Sequence, residues 1–289
     1  MLDRAVSDLG DRTRFAEIAF FGGSFTAIDR DYMRALLEAA QPYLDRFSGI
    51  RISTRPDAID EEVLALLKLC GVTSIELGAQ SMDDAVLKAN DRGHTSSDVE
   101  TAFALIRSFG FSAGLQMMTG LYMSDPQRDY QTALEFVRLR PDTVRVYPTV
   151  ILRGTHLEEL YLSGEFKPYS LEESVELCSR LIKLFDDEGI PLIRLGLHYS
   201  DSLIQNSLGG YYHPAFRELC ESKLFFDSFL EKTRDFTDKK VTVTLNRRSL
   251  SKFLGQKKSN LIRLSGLGYE IKLQYEDSLG KYEFIVKQG

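Results

Sequence analysis

The chain has 289 residues, 43% of them hydrophobic, enough for one large core or a large domain with a smaller companion and too apolar for disorder. No apolar run reaches bilayer length, the first thirty residues carry no charged-then-apolar leader, and only three cysteines occur, far apart; a membrane span and a disulfide scaffold are set aside, and a reducing, cytoplasmic setting is expected. Net charge is -6, yet residues 234–289 carry 12 Lys or Arg against 6 Asp or Glu while residues 1–233 carry 24 against 36, so a basic tail follows an acidic body. That asymmetry fits either a tethered module with a polyanionic partner or a solvated basic face.

In chain order, short continuous apolar runs predict buried strands over 16–21, 50–54, 74–78, 112–118, 144–147 and 191–195. Helical spacing fills the intervals at 32–47, 61–70, 97–109, 129–139 and 171–187, with Asp60 and Ser96 as N-caps and Gly71, Gly110 and Gly189 at helix C-termini. The β/α alternation implies parallel strands and right-handed crossovers, in a partial TIM-type barrel or a doubly wound sheet. Residues 199–232 begin irregularly, with Gly209-Gly210-Tyr211-Tyr212-His213-Pro214, and continue as an apolar helix from Ala215 through Phe229. This segment is expected to cover the open side of the barrel, the alternative being a substrate-binding loop. The tail reads as strand 241–245, helix 249–254, turn Gly255-Gln256-Lys257-Lys258, helix 259–265 and strands 269–275 and 282–286. Three domains are expected, at 1–198, 199–233 and 234–289.

Several strand ends carry polar motifs. Gly22-Gly23-Ser24 follows the first strand and serves either a tight turn or a backbone brought close to a polar ligand. Arg55, in Thr54-Arg55-Pro56-Asp57, is a forked anion donor or a loop cation paired with Asp57. Alternation puts Glu76, Gly78 and Gln80 on one side, pointing into the barrel, where an unpaired Glu76 would be costly. Asp91-Arg92-Gly93-His94 forms a loop that His94 is expected to set. Met117 and Met118 end one strand as ordinary core filling, and Tyr147, ahead of Pro148-Thr149 and Arg153-Gly154-Thr155, is placed to reach the lumen.

Taken in order, these motifs resemble the radical S-adenosylmethionine (radical SAM) superfamily, and most closely the catalytic subunit of Elongator and its smaller bacterial relatives. The resemblance implies an open six-stranded (β/α) barrel short of its first β/α unit, with S-adenosylmethionine as cofactor. It implies that Gly22, Gly23 and Ser24 hold the amino group of the methionine moiety, that Arg55 holds its carboxylate or a substrate phosphate, and that Gln80 hydrogen-bonds the cofactor. Glu76 would touch the cofactor or a pairing Arg, while Met117 and Tyr147 would line the adenosyl site. The family's Cys-x3-Cys-x2-Cys, which holds a [4Fe-4S] cluster, has no counterpart in Cys70, Cys178 and Cys220, which stand 108 and 42 residues apart. A cluster is therefore expected in a longer parent and not on this chain, which is expected to be inactive as written.

The tail resembles a KH domain, whose Gly-x-x-Gly turn clamps a nucleic-acid backbone, with Lys258 standing where the second glycine would be. That resemblance implies RNA or tRNA as partner, contacted by Gly255, Lys257 and Lys258. Two other readings stand beside the RNA-modifying enzyme. One is a degenerate module that binds S-adenosylmethionine or RNA. The other is a relative of oxygen-independent coproporphyrinogen oxidase acting on a small molecule, since that enzyme shares the Gly-Gly turn, the Gly-x-Gln-Ser segment and an Arg-Gly-His; the Tyr-Pro-Thr to Arg-Gly-Thr segment speaks for Elongator.

Overall fold

The computed structural model describes residues 1–210 and 212–289; Tyr211, within the irregular stretch, lies outside the described residues. After an N-terminal helix α1 (Leu2–Leu9), the chain runs β1 (Ile18–Phe20), α2 (Arg30–Ala40), β2 (Ile50–Thr54), α3 (Glu61–Leu69), β3 (Val72–Gln80), α4 (Asp84–Ala89), α5 (Ser96–Ser108), β4 (Ser112–Thr119), α6 (Pro126–Leu139) and β5 (Thr143–Pro148). A short strand β6 (Ile151–Leu152), α7 (His156–Leu162), α8 (Leu171–Asp187), β7 (Leu192–Leu195), α9 (Asp201–Asn206) and β8 (Ser207–Gly209) follow. The last third is α10 (Phe216–Lys232), β9 (Lys240–Leu245), α11 (Leu250–Leu254), α12 (Ser259–Gly266), β10 (Glu270–Tyr275) and β11 (Phe284–Gln288). Two compact units result: Met1–Thr149 with Glu159–Pro168 and Glu188–Arg194, and Val150–Glu158 with Tyr169–Asp187 and Leu195–Gly289.

The first unit is a curled, open half-barrel. Its six strands lie in the order β1-β2-β3-β4-β5-β7, and each registered pair from β1 to β5 is parallel. Register explains why the apolar runs are continuous: Leu77 faces Leu115 and Leu115 faces Val144, all buried, in a row on which α3, α5 and α6 pack. Leu64 and Leu67 of α3, Val99 and Ile106 of α5 and Phe136 of α6 complete that core, each essentially without solvent exposure. A strand covered by helices gains by being apolar throughout, whereas an exposed face would alternate.

Local signals fix the helix ends. Asp60 Oδ1 accepts from the Val63 N–H at 2.7 Å, and Gly71, Gly110 and Gly189 take φ of 78°, 74° and 67° beyond helix C-termini, a region cheap only for glycine. The cap of α5 is Thr95, one residue before the expected Ser96: its hydroxyl and the Asp98 carboxylate form a reciprocal capping box, which a serine one position later cannot close.

In the second unit, β9 is the centre of a three-stranded sheet, parallel to β10 and antiparallel to β11. The β-α-α-β-β order read from the tail is observed. The apolar helix α10, read as a cover for the barrel, contributes Phe225, Phe226 and Phe229 to the core of this sheet, with Val241, Val243, Leu245, Phe253, Leu264 and Phe284. Phe225 meets Phe253 edge-on with centroids 6.1 Å apart, and Phe229 meets Tyr269 likewise at 4.9 Å; so small a sheet needs such aromatic bulk on one face to exclude water. Among the described residues no helix is long and apolar enough to cross a membrane.

One buried carboxylate ties α10 to the elements that follow. Glu221 is 2% exposed and accepts from Tyr282 Oη at 2.6 Å, while Arg217, Lys252 and Lys281 pair with it at 3.1, 3.2 and 3.0 Å. Burial pushes its pKa up, but the Tyr282 hydrogen bond and the ammonium groups of Lys281 and Lys252 outweigh burial and hold it at about 2, against 4.5 ordinarily. A lowered carboxyl pKa stabilises the fold above the unfolded value, and that contribution is lost as pH falls through the folded value. We therefore expect Glu221→Gln to cost about 3 kcal/mol at pH 6, with the gap to wild type closing between about pH 4.5 and about pH 2, as measured by urea unfolding across that range.

Candidate functional site

At the C-terminal ends of β1 to β4 lies a cavity of about 380 Å³, lined by Gly22, Gly23, Ser24, Ser53, Thr54, Arg55, Gly78, Gln80, Asp91, Arg92, Gly93, His94 and Gln116. Four of the expected motifs thus meet in one place. The glycine turn is pinned from beneath: Thr26 Oγ1 shares a 2.5 Å hydrogen bond with the buried Thr54 Oγ1 and donates to the Ala58 carbonyl at 2.6 Å, and Phe25 stacks on Phe20 at 4.8 Å. Gly22 and Gly23 take φ of 117° and 155°, and a Cβ on either would meet nothing within 4 Å. Backbone conformation, not crowding, therefore demands glycine, and the bare turn presents its peptide groups to the cavity.

Strand β3 bends where it reaches the site. The register slips between Gly78 and Gln80, and Gln80 takes φ of 66°, a left-handed conformation that costs a residue with a Cβ roughly 1–2 kcal/mol. The side chain folds back over Gly78, where a Cβ would lie 2.6 Å from Gln80 Nε2, and forms a reciprocal amide pair with Gln116: Gln80 Nε2 donates to Gln116 Oε1 at 3.1 Å and Gln116 Nε2 to Gln80 Oε1 at 2.9 Å. Buried His94 closes the bulge, its Nε2 lying 3.0 Å from the Ala79 carbonyl. A carbonyl can only accept, so Nε2 carries a proton, and His94 sets the 91–94 loop.

That loop delivers Arg92. Its Nη2 approaches Met118 Sδ at 3.6 Å, and its buried Nε has no hydrogen-bond partner among the described residues; burial pulls its pKa down, although it stays charged. Arg55 also lines the cavity, but its Nε is paired with Asp57 at 2.8 Å. A buried guanidinium nitrogen without a partner is costly, and here the cost falls at the wall of a cavity large enough for a ligand.

Three expected site residues stand elsewhere. Met117 is fully buried and does not line the cavity, because the alternation that turns Gln116 toward Gln80 turns Met117 to the other face of β4. Glu76 does point into the half-barrel, but its partners are protein groups: Oε1 pairs with Arg51 at 2.9 Å and Oε2 with Arg145 at 2.5 Å. Arg51 in turn pairs with Glu17 at 2.7 Å. Tyr147 belongs to the same layer, its hydroxyl accepting from Arg145 Nη1 at 3.3 Å, and Phe21 lies with its ring 4.6 Å from the Arg145 guanidinium carbon. Burial lowers the Arg145 pKa, and the bonds to Tyr147 and Glu76 more than offset it. Gln116 was not singled out in the sequence; the signal for it was its place two residues before Met118 on a strand whose alternate side chains face the lumen.

Cys178 and Cys220 lie within hydrogen-bonding reach of each other, but the three cysteines form no ligand set among the described residues. Cys70 is half-buried beyond α3 in the first unit, while Cys178 and Cys220 are buried in α8 and α10 of the second. Among the described residues no group of three or more His, Cys, Asp and Glu could hold a metal ion, so the side chains in hand do not fit a [4Fe-4S] cluster.

In the second unit, Gly255, Lys257 and Lys258 form the turn between α11 and α12, with φ of 73°, 50° and 61°. A Cβ on Gly255 would lie 2.5 Å from Ser259 Oγ and 2.7 Å from Ser222 Oγ, so glycine is required there for space as well as conformation. Both lysines are exposed, and both hold the left-handed backbone that glycine takes more cheaply.

A parallel half-barrel with a glycine turn after β1, a polar cavity over the strand ends and an unpartnered arginine at its wall defines a class: the chain belongs to the radical SAM superfamily, whose family model matches residues 1–139, with the Radical_SAM C-terminal domain matching residues 141–225. Within that class it is similar to Elongator complex protein 3 of Homo sapiens, 32% identical over 201 residues covering 62% of this chain and 37% of that protein. It is also similar to the tRNA uridine(34) acetyltransferase of Methanocaldococcus jannaschii, 34% identical over 194 residues covering 59% and 36%. The solved structure of Methanocaldococcus infernus Elp3 with an N-terminal deletion superposes with a TM-score of 0.65 at 25% identity, over 80% of this chain and 57% of that one. The chain spans between a third and about half the length of the curated relatives it matches.

The Glu76 layer yields a direct test. Removing the charge from this buried carboxylate leaves Arg145 without an acidic partner and Arg51 with Glu17 alone, so Glu76→Gln is expected to lower the unfolding free energy by roughly 3 kcal/mol in urea denaturation. A loss below about 1 kcal/mol, the range of an exposed pair, would show the layer to be solvated.

Proposed function

We propose that the half-barrel binds S-adenosylmethionine in the 380 Å³ cavity, and that the protein is an Elongator-like radical SAM protein directed at RNA. The observation that carries the cofactor reading is Arg92: its buried Nε has no hydrogen-bond partner among the described residues, and its side chain lines the same cavity as a bare glycine turn. An α-amino acid needs that pairing, carbonyl groups for its ammonium and a forked donor for its carboxylate. In this reading the Gly22 to Ser24 turn receives the ammonium, Arg92 receives the carboxylate, and the Gln80 and Gln116 amides border the nucleoside. Arg55, already neutralised by Asp57, shapes the rim.

When bound, S-adenosylmethionine supplies the 5′-deoxyadenosyl group from which this superfamily draws its radical chemistry. What this chain's residues contribute is placement: the glycine turn and Arg92 fix the amino-acid end, and the neutral floor of paired Glu17, Arg51, Glu76 and Arg145 adds no net charge against a cationic sulfonium. The RNA reading draws support from the named activities of the relatives and from the exposed lysine turn of a β-α-α-β-β domain.

Calorimetry with S-adenosylmethionine and 5′-methylthioadenosine, which lacks the carboxylate and ammonium, tests the assignment. Wild type is expected to prefer S-adenosylmethionine, and Arg92→Gln to weaken it about 10- to 100-fold while leaving 5′-methylthioadenosine within about twofold, as for loss of one charge-assisted hydrogen bond. Equal effects on both ligands would remove Arg92 from the carboxylate, and no binding of either would end the cofactor reading.

A further inference from the structure

Glu221 has more cations than a buried carboxylate requires. Arg217, Lys252 and Lys281 all lie within 3.2 Å of its oxygens, and Tyr282 donates as well. Asp186 is a further acid in the field of Lys281, with Asp187 and Lys183 beside it. The like charges oppose one another: burial pulls the Lys281 pKa down, Glu221 pulls it up, and the fields of Arg217 and Lys252 act with burial, leaving it below the ordinary value. A clasp needs one cation, and each additional one adds repulsion and desolvation.

The geometry is also inside-out. The Glu221 side chain is 3% exposed, whereas those of Lys252, Arg217 and Lys281 are 20%, 30% and 46% exposed. The anion sits below and the cations fan toward solvent around Tyr282, whose ring has Lys281 Nζ 4.6 Å and Lys252 Nζ 5.7 Å from its centroid. A lysine ammonium carries three donors, and the carboxylate beneath fixes where the remainder can point. Neighbouring Ser222 supports the lysine turn, its carbonyl accepting from Asn260 Nδ2 at 2.8 Å while the same amide reaches the Phe253 carbonyl at 3.0 Å. Consecutive residues of α10 thus hold the cation fan and the Gly255 to Lys258 turn side by side, and Lys252 lies on the helix that leads into that turn.

We infer that Arg217, Lys252 and Lys281, splayed over buried Glu221, form a phosphate-binding site that takes the backbone of a nucleic acid next to the phosphate held at the Gly255 to Lys258 turn. This rests on the RNA reading above and adds to it a second, separately built contact. Glu221 acts as the positioning residue: it holds the lysines at fixed spacing and competes with the phosphate for them.

The test is fluorescence anisotropy of the full chain with a labelled oligouridylate of about 20 nucleotides, from about 25 to about 200 mM KCl. Each lost phosphate contact should reduce the slope of log K against log salt by about 0.7 for a single strand. Lys252→Gln with Lys281→Gln should therefore flatten the slope by about 1.4, and Lys281→Gln alone, at the most exposed of the three cations, by about 0.7 if the double variant does not fold. Glu221→Gln, compared at a temperature where circular dichroism shows it folded, should tighten binding about threefold as the competing carboxylate is removed; a merely structural clasp would leave affinity unmoved. An unchanged slope in the lysine variants, with binding still lost on replacing Lys257 and Lys258 by Gln, would overturn the second site and leave the turn as the RNA contact. No binding of the wild-type chain at about 25 mM KCl would overturn both.

Discussion

The half-barrel is organised around one carboxylate that has no access to water. Glu76 sits in the middle strand region of a parallel sheet, 2% exposed, and an ion there is tolerable only if its charge is met and its oxygens are occupied. Arg51 from β2 and Arg145 from β5 meet it from both sides. Each arginine then needs company of its own, which brings Glu17 to Arg51 and Tyr147 and Phe21 to Arg145. The result is a neutral polar floor joining strands that are not all neighbours. On it stand the groups that line the cavity, so the position of the site follows from the solution to a burial problem.

The two units solve a related problem differently. In the first, alternating acids and arginines cancel; in the second, Glu221 is surrounded by positive charge beyond its own. Under the proposed binding mode, cancellation suits a ligand that carries both an ammonium and a carboxylate, because the floor leaves neither end favoured and local donors decide orientation. Excess suits a surface that meets a polyanion. The overall charge of -6 conceals this division, and the asymmetry between body and tail reveals it.

The strands of the half-barrel were legible because they are covered by helices and so read as unbroken apolar runs, and Asp60, Gly71, Gly110 and Gly189 announced helix ends through chemistry that acts within one turn. Glu76 announced a partner, since a lone acid in a strand of Val, Ile and Leu must have one. What could not be read depends on register and contact across the fold. Gln80 lines the cavity as expected, but the slip after Gly78 and the left-handed backbone that carry it there have no local signal. Met117 and Gln116 exchange roles because strand alternation, not motif position, decides which faces the cavity. Arg92 was visible only as part of a loop motif, its lack of a partner being a property of everything packed around it. The phenylalanines of α10 were evident, but which sheet they would cover was set by β9 to β11 and not by the helix.

In the proposed binding mode, the cavity above the Glu76 floor orients an amino-acid ligand between the glycine turn and Arg92. A crystal structure of the chain grown with S-adenosylmethionine tests it most directly. Density is expected with the carboxylate within hydrogen-bonding distance of the Arg92 guanidinium, the ammonium on the Gly22 to Ser24 turn, and the Glu76 layer unchanged. Density with the carboxylate on Arg55 and Arg92 left without a partner, or a ligand bound outside this cavity, would contradict it.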